Sequence, residues 1–201
     1  GAGGDYEIEQ SLRFNDDDGS YLSRTPSVAG NRKTWTWSGW VKRGNLSTTQ
    51  ALFGVHTDTN NKALMYFDSG NNDLRLYSVV SGSIVYLADT DAKFRDSSAW
   101  YHITAVMDTT QSTASDRMKI YINGVNQTLS INTSPSLNLD TLINSATDHV
   151  IGQFNTAYFD GYLAEVNFID GQALTPDSFG ETGTYGEWKP IAYAGTYGTN
   201  G

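Results

Sequence analysis

Residues 118–129, MKIYINGVNQTL, set Asn123-Gly124 between two runs that alternate apolar and polar side chains. A two-residue type I′ turn needs positive φ at both central positions, and Asn followed by Gly tolerates this best. The spacing therefore predicts a hairpin in which 119–122 pairs with 125–129. A longer run lies just upstream. Trp100, His102, Thr104 and Val106 alternate with Tyr101, Ile103, Ala105 and Met107. Both faces of this strand are largely apolar, so it is expected at the centre of a sheet, covered on both sides.

The same period-two signal, bounded by turn residues, marks strands over 6–14, 21–24, 35–43, 51–56, 64–68, 74–77 and 84–88. After 100–108, 118–122 and 125–129 it returns over 149–154 and 161–169. No long segment carries a 3.6-residue period. Thr175-Pro176-Asp177-Ser178-Phe179 is the one plausible helical turn, with Thr175 as N-cap and Pro176 as first helical residue. A dozen short strands without helices predict an all-β, two-sheet antiparallel sandwich or barrel. At 201 residues this is one large domain, expected over 5–193. Gly1-Ala2-Gly3-Gly4 reads as a flexible leader or cloning scar, and the Gly-rich 194–201 as a C-terminal linker of a longer chain.

Charge and composition exclude several functions. The net charge of −9 would repel phosphates, so nucleic acid is not an expected partner. With no cysteine there is no disulfide, thiol nucleophile or cysteinyl metal site. The missing disulfide tilts toward a bacterial, viral or intracellularly assembled protein. No apolar stretch approaches membrane-spanning length and no signal peptide is visible, so membrane insertion is not expected.

Three kinds of chemistry were open to the residues. Glycoside hydrolysis needs two facing carboxylates. Glu7 and Glu9 share a strand face but lie in an expected edge, Glu165 stands alone, and Asp89 and Asp91 fall in a turn. The three histidines are scattered, Gly-x-Ser-x-Gly is absent, and His102 needs only a partner within its sheet, so no catalytic residue is assigned. Calcium takes oxygen ligands from turns. The loop NDDDG packs Asp16, Asp17 and Asp18 together, a density that repels itself unless solvated or neutralised. Sugars are held by aromatic faces and polar side chains, and such groups concentrate in loops. Trp35 and Trp37 share one face of their strand and Trp40 the other, and all three are expected in the core or under a loop. The sugar-binding candidates are therefore Asp58, Asn60 and Asn61 in 56–62, Asn71 and Asn72 in 68–73, and Asn155 and Tyr158 in 153–160. Arg32, Lys33, Lys42 and Arg43 read as a solvated strand flank.

WYHITAV (100–106) followed by IYING (120–124) resembles the central signature of laminin-G-like and concanavalin-A-like jelly rolls. SLRFNDDDGSYLSR, WTWSGWVKR and FDGYLAEVNFIDGQALTPDSFG resemble that family's first strand pair, Trp-Val-Lys strand and closing strand, in order, over residues 6–180. The resemblance implies a jelly-roll β-sandwich. It also implies a structural calcium near residues 15–19, aided by an aspartate on the closing strand. Here that position is Ala164, and Asp160 or Asp170, which flank the strand, would have to substitute. SLRFN with YLSRTPSVAGNRKTWTWSGWVKRG, then RDSSAWYHI, GYLAEVNFIDGQALTPDSFGE and YGTNG, further resemble lectin-like modules in structural proteins of tailed bacteriophages, especially marine ones. That implies a non-catalytic carbohydrate-binding module of a virion or tail-fibre protein. Its expected partners are bacterial surface polysaccharide and other virion chains, the latter including a homotrimer. The alternatives are a structural or capsid-decorating module and a glycoside hydrolase.

Overall fold

A computed structural model describes residues 6–201; the leader expected at 1–4 lies outside the described residues. The described residues form seventeen short strands: β1 (Leu12–Phe14), β2 (Leu22–Arg24), β3 (Thr34–Arg43), β4 (Gln50–Asp58), β5 (Asn61–Phe67), β6 (Leu74–Val80), β7 (Ser83–Thr90), β8 (Tyr101–Asp108), β9 (Met118–Ile122), β10 (Val125–Asn126), β11 (Leu129–Thr133), β12 (His149–Ile151), β13 (Gln153–Phe154), β14 (Ala157–Tyr158), β15 (Gly161–Asp170), β16 (Gly180–Thr182) and β17 (Trp188–Pro190). Helical structure among them is limited to two 3₁₀ turns, Ala114–Asp116 and Pro176–Ser178.

One sheet has the order β1-β15-β3-β8-β9-β10 and the other β11-β7-β6-β5-β4-β12-β2. All pairings are antiparallel. Strand alternation builds the core between them. Trp35, Trp37 and Val41 on β3 and Ile103, Ala105 and Met107 on β8 point inward. They meet Phe53, Met65, Phe67, Leu76 and Tyr86 from the other sheet. As expected, β8 is central, between β3 and β9.

The hairpin turn forms as its sequence requires, with φ of 49° at Asn123 and 78° at Gly124. Its second arm is shorter than predicted. Val125 and Asn126 pair with β9, and Leu129–Thr133 then crosses to the other sheet and pairs with β7. A local turn signal fixes where a strand begins, whereas its length depends on which neighbour offers an unpaired edge. The run 149–154 likewise divides at Gly152, whose φ of 83° bends the chain from β12 into β13. Thr175 precedes the 3₁₀ turn at Pro176 as predicted, but its hydroxyl bonds Asp177 and makes no cap.

Two expectations are corrected. Arg43 is not on a solvated flank but 1% exposed. Alternation places it inward beside Trp35, Trp37 and Val41. Its guanidinium donates to the Phe94 carbonyl (2.5 Å) and to Asn72 Oδ1 (3.0 Å), and lies 4.4 Å from the centre of the Phe67 ring. Burial lowers its pKa to about 10. The second is the terminal strip 194–201, which is docked rather than loose. Asn200 donates to Asp170 Oδ2 (3.1 Å), the Val28 carbonyl (2.9 Å) and Asn144 Oδ1 (3.0 Å), while Asp170 N–H donates to the Tyr197 carbonyl (2.8 Å). Glycine content suggested a linker, but one buried asparagine ties the strip down.

Candidate functional site

The outward face of β3 carries Thr36, Ser38 and Trp40. Across the sheet Trp40 sits between Ala164 on β15 and His102 on β8. The small Ala164 side chain leaves space beside the Trp40 indole. Over this row folds the β16–β17 hairpin, which brings Trp188 onto His102 with the rings nearly parallel, 6.0 Å apart at 23°. Two glycines permit that approach. A Cβ on Gly124 or on Gly180 would lie 2.5 Å from the Trp188 ring. At Gly124 the positive φ adds strain for any other residue.

His102 is held on both nitrogens. The Trp188 indole N–H donates to Nδ1 (2.9 Å), so Nδ1 is the acceptor and Nε2 carries the proton toward Ser38 Oγ (2.8 Å). Burial lowers its pKa to about 4, which keeps it neutral near pH 7. In a Ser-His-Asp arrangement a carboxylate accepts from Nδ1–H. Here an N–H donor occupies that place, and Ser38 is fully buried. The Trp-Tyr-His corner is scaffold at His102 and surface at Trp100, which is 37% exposed and 6.3 Å from the Tyr162 ring.

Between this hairpin and the N-terminal segment lies a groove of about 370 Å³. Trp40 and Ala164 form its floor, Glu9 and Gln10 one wall and Trp188 the other, with Trp100 also lining it. Among the described residues, no hydrogen bond engages the indole N–H of Trp40 or Trp100, the Glu9 carboxylate or the Gln10 amide. The groove thus combines aromatic faces with donors and acceptors that the fold does not use. In sequence Glu9 reads as an edge residue, and Trp188 belongs to no motif that points to a site. A signal for Trp188 existed in YGEWKP, a Gly turn followed by alternation, but its target on His102 is remote in sequence.

The loop residues singled out from sequence do not form one site. Asp58, Asn60 and Asn61 make the β4–β5 turn. Asp58 accepts from the Asn61 side chain (3.2 Å) and the Asn60 N–H (2.7 Å), which holds it below the usual carboxylate range. Asn61 Oδ1 accepts from Ser81 N–H. Asn71 and Asn72 lie at the other end of β5, about 20 Å away at strand spacing. Asn72 serves Arg43, and Asn71 N–H caps Asp68. Asn155 sits in the β13–β14 turn with φ of 53°, and Tyr158 packs against Gly19. Asp58, Asn61 and Asn72 are thus engaged within the fold, while the side chains of Asn60, Asn71 and Asn155 make no hydrogen bond among the described residues. Two of the loops do meet on the outer face of the seven-stranded sheet, where Asp68, Phe154 and Ala157 join Tyr66 and Tyr77 around a hollow of about 200 Å³.

The acidic loop lies near Asp160. Asp160 is raised by burial and by the nearby negative charge of Asp16, with Asp17 adding to it and Arg13 opposing. Asp18 turns to Asn15 (3.0 Å), and Asp16 accepts from Asn45 (3.4 Å). Among the described residues no three or more His, Asp or Glu side chains gather in a way that could hold a metal ion. Asp170 is engaged elsewhere: it accepts from Asn31 N–H (2.8 Å), Asn144 Nδ2 (2.6 Å) and Asn200 N–H.

The laminin-G-type profile described as the concanavalin A-like lectin/glucanases superfamily matches residues 15–178. No curated protein matches the chain. Solved structures with a similar fold include domain 4 of an extracellular arabinanase from Geobacillus stearothermophilus, in complex with arabinotriose. That likeness has 23% identity and a TM-score of 0.54, covering 75% of this chain and 65% of that one. A sialidase module from Ruminococcus gnavus, bound to α2,3-sialyllactose, has 12% identity and a TM-score of 0.53, covering 85% of this chain and 96% of that one. A pentraxin from Limulus polyphemus has 21% identity and a TM-score of 0.53, covering 77% and 71%. Identities this low establish the shared fold alone.

Proposed function

Because this chain belongs to the concanavalin A-like lectin/glucanases superfamily, we propose that it is a non-catalytic carbohydrate-binding module whose contact surface is the tryptophan groove. The observation that carries the reading is the meeting of Trp40, Trp100 and Trp188 with unused groups on Glu9 and Gln10. A pyranose face stacks on Trp100. Its hydroxyls donate to Glu9 and accept from the Gln10 amide and the Trp40 indole N–H. Stacking and each neutral hydrogen bond contribute about 1 kcal/mol apiece, so a single site binds weakly, on the order of millimolar. Repetition on a larger particle raises the avidity.

We further place the module on a bacteriophage virion, in a tail fibre or other host-attachment chain, with bacterial surface polysaccharide as ligand and a homotrimer supplying the repetition. Support for this comes from the resemblance of YLSRTPSVAGNRKTWTWSGWVKRG, RDSSAWYHI, GYLAEVNFIDGQALTPDSFGE and YGTNG to phage lectin-like modules. The test is a screen of the multivalently displayed module against bacterial polysaccharides and a glycan array, repeated with Trp100→Ala. Binding that is lost in this variant and retained in Asn155→Ala supports the groove. No binding at millimolar ligand, or equal binding by both variants, overturns it.

A further inference from the structure

On the inner side of β3, opposite the groove, a cavity of about 250 Å³ opens at the β2 edge between the two sheets. Its walls are mostly apolar, with Trp37, Phe53, Val166 and Phe168 among them, and Asn144 and His149 add polar groups. Sandwich interiors are close-packed, and a void of this size has room for several waters. One observation says what would fill it better. Arg24 lines the cavity from the exposed edge strand β2. Its guanidinium gives one hydrogen bond to the Asn200 carbonyl (2.9 Å) and makes no ion pair among the described residues, in a chain of net charge −9.

We propose that this cavity is a second binding site, for a medium-chain amphiphile with a carboxylate head. The chain lies between Trp37, Phe53, Val166 and Phe168, and the carboxylate pairs with Arg24 at the mouth. A guanidinium and a carboxylate form charge-assisted bonds about twice as strong as neutral ones. Part of the cavity edge is apolar and solvent-exposed, with Leu22 47% exposed, which suits entry of a hydrocarbon tail. The volume limits the tail to about eight carbons at the packing of a condensed phase. The site is independent of the tryptophan groove and of any glycan bound there.

The test is titration of the whole chain with sodium octanoate, followed by calorimetry and by tryptophan emission. The expected result is saturable binding of one octanoate, weaker for butanoate and no tighter for dodecanoate. Arg24→Ala should weaken octanoate about tenfold and leave 1-octanol unchanged. Val166→Phe, checked for an unaltered melting transition, should abolish both; should it fail to fold, the chain-length series on the wild type decides alone. Three results would overturn the proposal. They are no saturation at 10 mM octanoate, affinity that climbs steadily through dodecanoate as in surface adsorption, and association with anionic lipid vesicles but not with octanoate.

Discussion

Acidification should weaken the fold through His102, and the size of the effect follows from its surroundings. An unfolded histidine titrates near pH 6.5, whereas burial lowers His102 to about 4 in the folded chain. Above about pH 6.5 both states are neutral and the full stability is present. As the pH falls toward 4 the unfolded chain takes up a proton that the folded chain refuses, so stability is lost across that window. A gap of about 2.5 units, at 1.36 kcal/mol each, is on the order of 3 kcal/mol. Other groups also titrate here; His149 is lowered by burial and acts in the same direction. His102→Gln isolates the contribution. Its amide can accept from Trp188 and donate to Ser38 but does not titrate. Urea unfolding of both proteins at several pH values between 7.5 and 4 is the assay. The stability advantage of the wild type over the variant should shrink by about 3 kcal/mol on acidification. A difference that stays flat with pH would refute the neutral, doubly bonded His102. One that grows in acid would mean that a carboxylate, not an indole, faces the ring.

Four other outcomes follow. Arg43→Ala should lower stability by about 3 kcal/mol in urea unfolding, because the Phe94 carbonyl and Asn72 lose a charged donor and the Phe67 ring loses a neighbour. Gly124→Ala should cost at least about 2 kcal/mol through its positive φ and the clash with Trp188, and should perturb the emission of that tryptophan. Asp58→Asn and Asn61→Ala should leave glycan binding unchanged while loosening the β4–β5 turn, read as faster amide exchange in 58–61. Calcium at about 5 mM should shift the melting temperature by no more than about 1 °C; a rise of several degrees would show Asp16, Asp17 and Asp160 closing around a cation.

How far the sequence could be read is clearest along β3. Alternation alone put Trp35 and Trp37 on one face and Trp40 on the other, and the structure keeps that division. The same alternation places Arg43 inward, whereas its charge points to solvent, so sequence alone gives conflicting signals there. The buried partners that make an inward arginine tolerable, Asn72 and the Phe94 carbonyl, arrive from loops 29 and 51 residues away. The candidate site shows the same limit. Trp40 and Trp100 stand out by residue type, but their meeting with Glu9 and Trp188 needs the N-terminal segment and the last hairpin to flank one groove. Turn formation and sugar recognition draw on the same polar residues, so sequence does not separate the two in the asparagine-rich loops.

Sequence by itself determined the local geometry: the Asn123-Gly124 turn, the two-faced strands and an all-β sandwich built from them. These depend on φ preferences and side-chain alternation, which act over a few residues. Tertiary structure decided where 125–133 changes sheet, that Arg43 is enclosed, that Asn200 anchors the last residues, and that Trp188 covers His102. Each of these is a contact between segments tens of residues apart or more, set by how two finished sheets pack and which edges they leave open.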